Sequence, residues 1–455
     1  MNSAVTGFLR SLWQQRLIRG FVRYLVLWPL RYLARLVEKK GAFIYLPPFD
    51  TLDELADQYH RALWYLPEDG GCSVSMVVGG GLNVSLDALH TTAPDCMQSP
   101  PSSGKNIRIV SARSLASAGL FFASPFVLVW HVRRMNYLLR VLGRALGKKV
   151  IEIDPQHPDC YEYYHYLVLL THLQSTQERE QRRAESRARF EELAEKLGAY
   201  SRAYVFGTGP SLQSAHNFDF SDGVRIVCNS IVKNKELLAH TRPHFIVAAD
   251  TVSHFGVSRY AAAFRRDLVD ALDDTEAYFV FPEQFEPLWR LHYPHLRSRC
   301  IAIPLSLEFT RLSLLDDFRG TGTESVLTIF MLPLATTLAK KVLFLGCDGR
   351  LTQVNQEDFW AHEASVQYLD LVETGHQCHP TFAYNRERKG TYSRYNEFVE
   401  MAILAGEEDD IEYVCLSPSG TPALRSRQGN AESWRKNDRK WVIHSLHCRA
   451  FGCNR

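Results

Sequence analysis

Between Arg202 and Pro418 the chain repeats one pattern, a short apolar run rich in β-branched residues followed by a helix-forming stretch. The runs are AYVFG, RIVCN, HFIVAAD, AYFVFP, CIAIPL, KVLFLGCD and EYVCLSP. Strands this apolar have no face to give to water, so helices must cover them on both sides. The expected fold is therefore α/β, a mostly parallel, doubly wound sheet whose ligands bind beyond the carboxyl ends of the strands.

An earlier series has the same alternation. AFIYLP, CSVSMVV, IRIVSA, FVLVWHV and KVIEID read as strands, and Thr51–Leu66, opening on the N-cap-like DTLDE, and Asn136–Leu146 read as helices. Two Rossmann-like domains with mostly parallel sheets are thus expected, preceded by an amphipathic N-terminal helix. The boundaries read from the sequence are a basic membrane-surface helix over 1–40, a first α/β domain over 41–168 and a charged connecting helix over 169–200. A nucleotide-binding Rossmann-like transferase domain follows over 201–426, with a basic tail over 427–455. GGGLNVS, Gly79–Ser85, runs into a polar, turn-rich stretch and reads as a surface connection.

The net charge of +2 over 455 residues gives no general affinity for nucleic acid, which is not expected as a partner. Charge is unevenly placed, however. Met1–Lys40 carries its arginines and lysines against one acid, Glu38, with Trp13, Phe21, Tyr24 and Trp28 interleaved at helical spacing. It lacks the roughly 20 uninterrupted apolar residues of a membrane span, and Pro29 would kink the best candidate. The expectation is a helix lying on an anionic membrane surface, at the cytoplasmic face of the cell membrane. The ten cysteines form no C-x-x-C pair and read as reduced thiols. His376-Gln377-Cys378-His379 lacks a second pair of ligands, so no metal is expected there.

GTGPS, Gly207–Ser211, follows a strand run directly. Gly207 and Gly209 leave room at the backbone, Pro210 suits a first helical turn, and Ser211 adds a hydroxyl, so the loop is expected to offer amides to a phosphate. The spacing lacks the third glycine of a dinucleotide fingerprint and the lysine of a Walker loop. Asn229 and Asp250 end the next runs and suit a ribose or base. Thr321, Thr323 and Ser325 precede the apolar stretch Val326–Ala339, expected as a long helix with a second anion seat at its start. Asp348 and Arg350 follow KVLFLG.

GTGPSL, VCNS, TGTES, KKVLFLGCDG and VCLSPSG resemble, in order, the bacterial sialyltransferases that act on lipooligosaccharide, together with related flagellin-modification and 6-hydroxymethylpterin pyrophosphokinase-like proteins. The resemblance covers Arg202 to about Leu424. It implies a nucleotide held by Gly207, Thr208 and Gly209 at its phosphate, with Asn229 and Asp250 near ribose or base and Thr321–Ser325 opposite. It also implies a histidine base after the G-x-D strand, for which His379 and His376 are the candidates, His379 being preferred because it precedes PTFAYNR. The chain departs from the family at Thr208 and Asp250, where the family has asparagine, and has no tyrosine after the G-x-D strand until Tyr368. These departures point away from sialic acid as the donor sugar.

The expected activity is transfer of a sugar from a nucleotide-activated donor, CMP-sugars included, to a glycan or lipid-linked acceptor of bacterial surface-polysaccharide assembly. His379 would take the acceptor's proton, and Arg350 and the loop amides would stabilise the departing phosphate. No cofactor is required by this reading. The alternatives are a pterin pyrophosphokinase using ATP and Mg²⁺, with Asp250 and Asp348 facing the metal, and a non-catalytic, membrane-associated nucleotide fold.

Overall fold

The computed structural model describes residues 28–39, 41–67, 72–98, 100, 106–157, 160–308, 312–323, 325–349, 362–382 and 391–429. They divide into two compact units. One runs to Leu173 and also includes Cys378–Thr381; the other comprises Gln174–Gln377 and the chain from Phe382 onward.

The first unit is built on five parallel strands: β1 (Ala42–Phe49), β2 (Ser73–Val78), β3 (Asn106–Ser111), β4 (Phe126–Val129) and β5 (Lys149–Glu152), in the order β3-β2-β1-β4-β5. The central strand β1 is buried along nearly its whole length, as its unbroken apolar sequence requires. Ile44 and Leu46 of β1 pack with Val77, Val127 and Val129 and with Phe121 and Leu146 from the covering helices. Helix Leu52–Tyr65 starts where DTLDE places it: the Thr51 hydroxyl accepts the Glu54 N–H, and the Glu54 carboxylate accepts the Thr51 N–H. Of the expected N-terminal helix, Trp28–Val37 is helical; residues 1–27 lie outside the described residues.

The second unit holds β6 (Arg202–Phe206), β7 (Val224–Cys228), β8 (Phe245–Val247), β9 (Tyr278–Pro282) and β10 (Cys300–Ile303). A separate small pair follows, β11 (Leu305–Ser306) and β12 (Gly320–Thr321), before β13 (Lys341–Leu345) and β14 (Glu412–Cys415). The main sheet is parallel throughout, in the order β10-β9-β8-β7-β6-β13-β14. From β6 the chain steps outward to β10, then crosses back to lay β13 on the other side of β6. The winding therefore reverses between β6 and β13, and a crevice is expected beyond the carboxyl ends of those two strands.

The charged helix expected as a connection, Thr176–Leu197, belongs to the second unit and buries Phe190, Leu193 and Leu197 on one side. Its buried Ser186 accepts the Ala302 N–H of β10 at 3.2 Å. The stretch expected as one long helix over Val326–Ala339 is divided into a π turn, Leu327–Met331, and an α-helix, Leu332–Leu338. Pro333 has no N–H to donate, and the Leu332 N–H reaches back five residues to the Leu327 carbonyl.

Candidate functional site

At the reversal point two glycine-containing strand ends meet. The Gly207 N–H donates to the Leu345 carbonyl at 2.8 Å, and the Gly209 N–H donates to the Gly346 carbonyl at 2.8 Å. Gly346 has φ of +72°, and a Cβ there would stand 2.2 Å from the Gly207 carbonyl oxygen. The two turns thus pack backbone to backbone, and glycine on both sides is what lets them.

Pro210–Asn217 follows as a 3₁₀ helix. Its first amides do not face outward. Asp348 Oδ2 accepts the Ser211 N–H at 3.2 Å and the Ser211 hydroxyl at 2.9 Å, while Ser211 Oγ accepts the Gly346 N–H at 3.2 Å and lies 2.8 Å from Ser417 Oγ. The Leu212 N–H donates to the Gly209 carbonyl. The carboxylate of Asp348 therefore occupies the place at the start of this helix that the sequence reading gave to a phosphate, a placement the local dipole favours for any anion. Asp348 is buried, and burial holds its carboxyl above the ordinary carboxylate range although the Ser211 hydroxyl and amide pull it down. The expectation that Gly207, Gly209 and Ser211 present amides to a ligand is corrected accordingly: those amides close the loop on the neighbouring strand end.

Thr208 is the residue of this loop that faces elsewhere. Its hydroxyl lies 2.8 Å from His362 Nδ1, and its carbonyl accepts the Glu363 N–H at 2.8 Å. His362 is the histidine after the G-x-D strand that the structure brings to the glycine loop. The sequence reading passed over it, although WAHE follows the strand more closely than the histidines it chose.

His379 is placed in the first unit. It is 0% exposed, and its Nδ1 donates to Glu162 Oε1, while Arg61 lies 3.6 Å from the same carboxylate oxygen and donates to the Cys378 carbonyl at 2.6 Å. An imidazole sealed in this way is a packing residue, which corrects its expected role as the base. His376 lies on helix Val372–Cys378 of the second unit, partly exposed, 3.7 Å from Glu373. Arg350 lies outside the described residues.

Next along the edge, Asn229 directly follows β7 with φ of +51°, a left-handed conformation that asparagine tolerates well. Its Oδ1 is buried with no hydrogen-bond partner. Asp250, beyond β8, uses Oδ1 to accept the Val252 N–H at 2.9 Å and the Ser253 N–H, and its own N–H donates to His254 Nδ1 at 3.1 Å. His254 is buried, and burial lowers its pKa to about 4, so the ring is neutral.

The Thr321–Ser325 cluster turns inward. Thr321 lies in β12, the Thr323 and Thr328 hydroxyls are 2.6 Å apart, and Ser325 Oγ accepts the Leu327 N–H at 3.2 Å. The Thr328 and Ile329 amides both donate to the Ser325 carbonyl. The second anion seat expected there is filled by the chain's own serine. Around the reversal point burial raises the Cys228 thiol to about 12 and the Cys347 thiol well above the ordinary thiol range, which disfavours the nucleophilic thiolate of both.

No protein-family model, curated protein or solved structure matches the chain.

Proposed function

We propose that the second unit is a glycosyltransferase that uses a nucleotide-activated sugar, with its site at the β6/β13 reversal and its base at His362. The observation that carries this reading is the 2.8 Å contact between His362 Nδ1 and the Thr208 hydroxyl at the carboxyl edge where the strand order reverses. In the tautomer whose Nδ1 donates to the Thr208 hydroxyl, Nε2 would be the nitrogen that takes a proton. The acceptor hydroxyl would lose its proton to Nε2 as its oxygen bonds to the anomeric carbon. The carbon–oxygen bond to the nucleotide phosphate would break, and its electron pair would leave with the phosphate.

Asn229 supports a nucleotide at the same edge, since a buried oxygen lacking a donor calls for a ligand hydroxyl or amine to supply one. The pyrophosphokinase alternative draws no support from its two carboxylates, each of which has an oxygen hydrogen-bonded to backbone amides. A lipid-linked or glycan acceptor and a place at the inner face of the cell membrane complete the proposal. No helix among the described residues is long and apolar enough to cross a membrane.

The test is a thermal-shift panel of CMP-, UDP-, GDP- and ATP-type ligands, followed by transfer assays with the donor that stabilises. His362→Ala is expected to leave nucleotide stabilisation intact and slow transfer by about 10²–10⁴-fold. Wild-type turnover by that variant would reject His362 as the base, and failure of every nucleotide to bind would reject the transferase.

A further inference from the structure

Helix Leu115–Ala123 of the first unit exposes only apolar and small residues on its outer side. Leu115 is 93% exposed, Phe122 is 40% exposed, and Ala116, Ala118 and Gly119 are exposed between them. A helix facing water carries polar residues there. The face continues onto two neighbouring helices. Trp28–Val37 adjoins it through the Lys39 N–H, which donates to the Ala123 carbonyl at 2.9 Å, and presents Trp28 and Tyr32. Tyr137–Ala145 adjoins it where Gly143 approaches the Phe121 ring, and presents Tyr137 and Leu138. Arg31 ties these outer helices together by donating to the Ala145 carbonyl. Exposed apolar side chains on three adjoining helices mark a docking site.

Charge says what docks. From Cys96 to Ile151 the sequence has lysines and arginines and not one acid. Asp95, just before this stretch, is exposed, whereas two other nearby acids are paired, Glu38 with Lys148 at 3.5 Å and Glu152 with Arg140 at 2.9 Å and Arg144 at 3.4 Å. Arg35 and Lys39, on and just after helix Trp28–Val37, and Arg133 and Lys149, on either side of helix Tyr137–Ala145 in the sequence, are exposed. Exposed aromatic and leucine side chains on elements that also expose bases are the chemistry of an interfacial membrane contact, in which apolar groups enter the headgroup region and cations meet lipid phosphates. We propose that this three-helix face of the first unit docks on an anionic lipid bilayer. The inference extends the membrane contact from the N-terminal segment to the folded domain, and it stands whether or not the second unit transfers a sugar.

The test is co-sedimentation of the full chain with vesicles of phosphatidylcholine alone and of equal parts phosphatidylcholine and phosphatidylglycerol. The full chain should bind the mixed vesicles and not the neutral ones, and added salt should weaken binding. Leu115→Ser/Phe122→Ser, both at exposed positions, should lower binding about tenfold or more with an unchanged thermal midpoint. Lys149→Glu should lower it by a smaller factor. Undiminished binding by the double variant would overturn the proposal and place the membrane contact elsewhere, in residues 1–27 for example. A wild-type dimer in sedimentation velocity that the double variant abolishes would also overturn it, assigning the face to a second copy.

Discussion

A methyl group on Gly209 would stand 2.0 Å from Asp348 Oδ2 and 2.8 Å from the Gly346 carbonyl oxygen. Both atoms belong to the neighbouring strand end, so this glycine is required by the fold before any ligand arrives. Gly209→Ala is expected to lower unfolding stability by about 1–3 kcal/mol, the usual cost of overpacking. The same substitution in an Asp348→Ala background should cost less, because the clashing carboxylate atoms are gone and only the Gly346 carbonyl oxygen remains. Urea unfolding of the four proteins measures that coupling. Additive losses would mean that the carboxylate does not set the requirement for glycine. The sequence marks the glycines but not what they face, since the strand bearing Asp348 lies far along the chain and becomes a neighbour of β6 only through the crossover. The preference for His379, with His362 passed over, has the same cause. Chain order puts both after the G-x-D strand, and only packing separates an imidazole at a strand edge from one enclosed by Glu162 and Arg61.

Among the elements, the strands were the most legible, because runs apolar on both faces have few other fates. The irregular turns were not: a 3₁₀ turn after Gly209 and a π turn before Pro333 depend on which amides find partners, and residue spacing does not reveal that. Least legible was Cys378–Thr381, which leaves its sequence neighbours to complete the first unit. Glu162 anchors it, fully buried between Arg61 and His379. Removing one member of a buried charged set leaves the others uncompensated, so Glu162→Ala should cost about 3–5 kcal/mol. Because the loss falls on the first unit, hydrogen exchange should show it in helix Leu52–Tyr65 while β6 and β7 keep their protection. Equal loss of protection in both units would mean that the network does not belong to the first unit alone.

For the molecule as a whole, two buried groups at the carboxyl edge give stability opposite dependences on pH. His254 is held neutral with its pKa lowered to about 4, whereas the unfolded chain takes up a proton near the ordinary histidine value. Its contribution is complete above that ordinary value and is lost as pH falls toward about 4, by at most about 1.4 kcal/mol per pH unit. Asp348 is raised instead, so its contribution is complete below the ordinary carboxylate value and is lost as pH rises through its folded pKa. Urea unfolding across the acid range should show a shallower decline toward low pH for His254→Asn than for the wild type, and a steeper one for Asp348→Asn. Parallel curves would remove both assignments. The return of Cys378–Thr381 to the first unit also bears on how the protein is made. A ribosome that has completed Leu173 must add about two hundred more residues before that segment emerges, a delay of roughly 10–40 s at ordinary synthesis rates. Until then the nascent first unit holds Arg61 and Glu162 without their cover, a natural client for a chaperone, and expression of residues 1–173 alone would freeze it in that unfinished state.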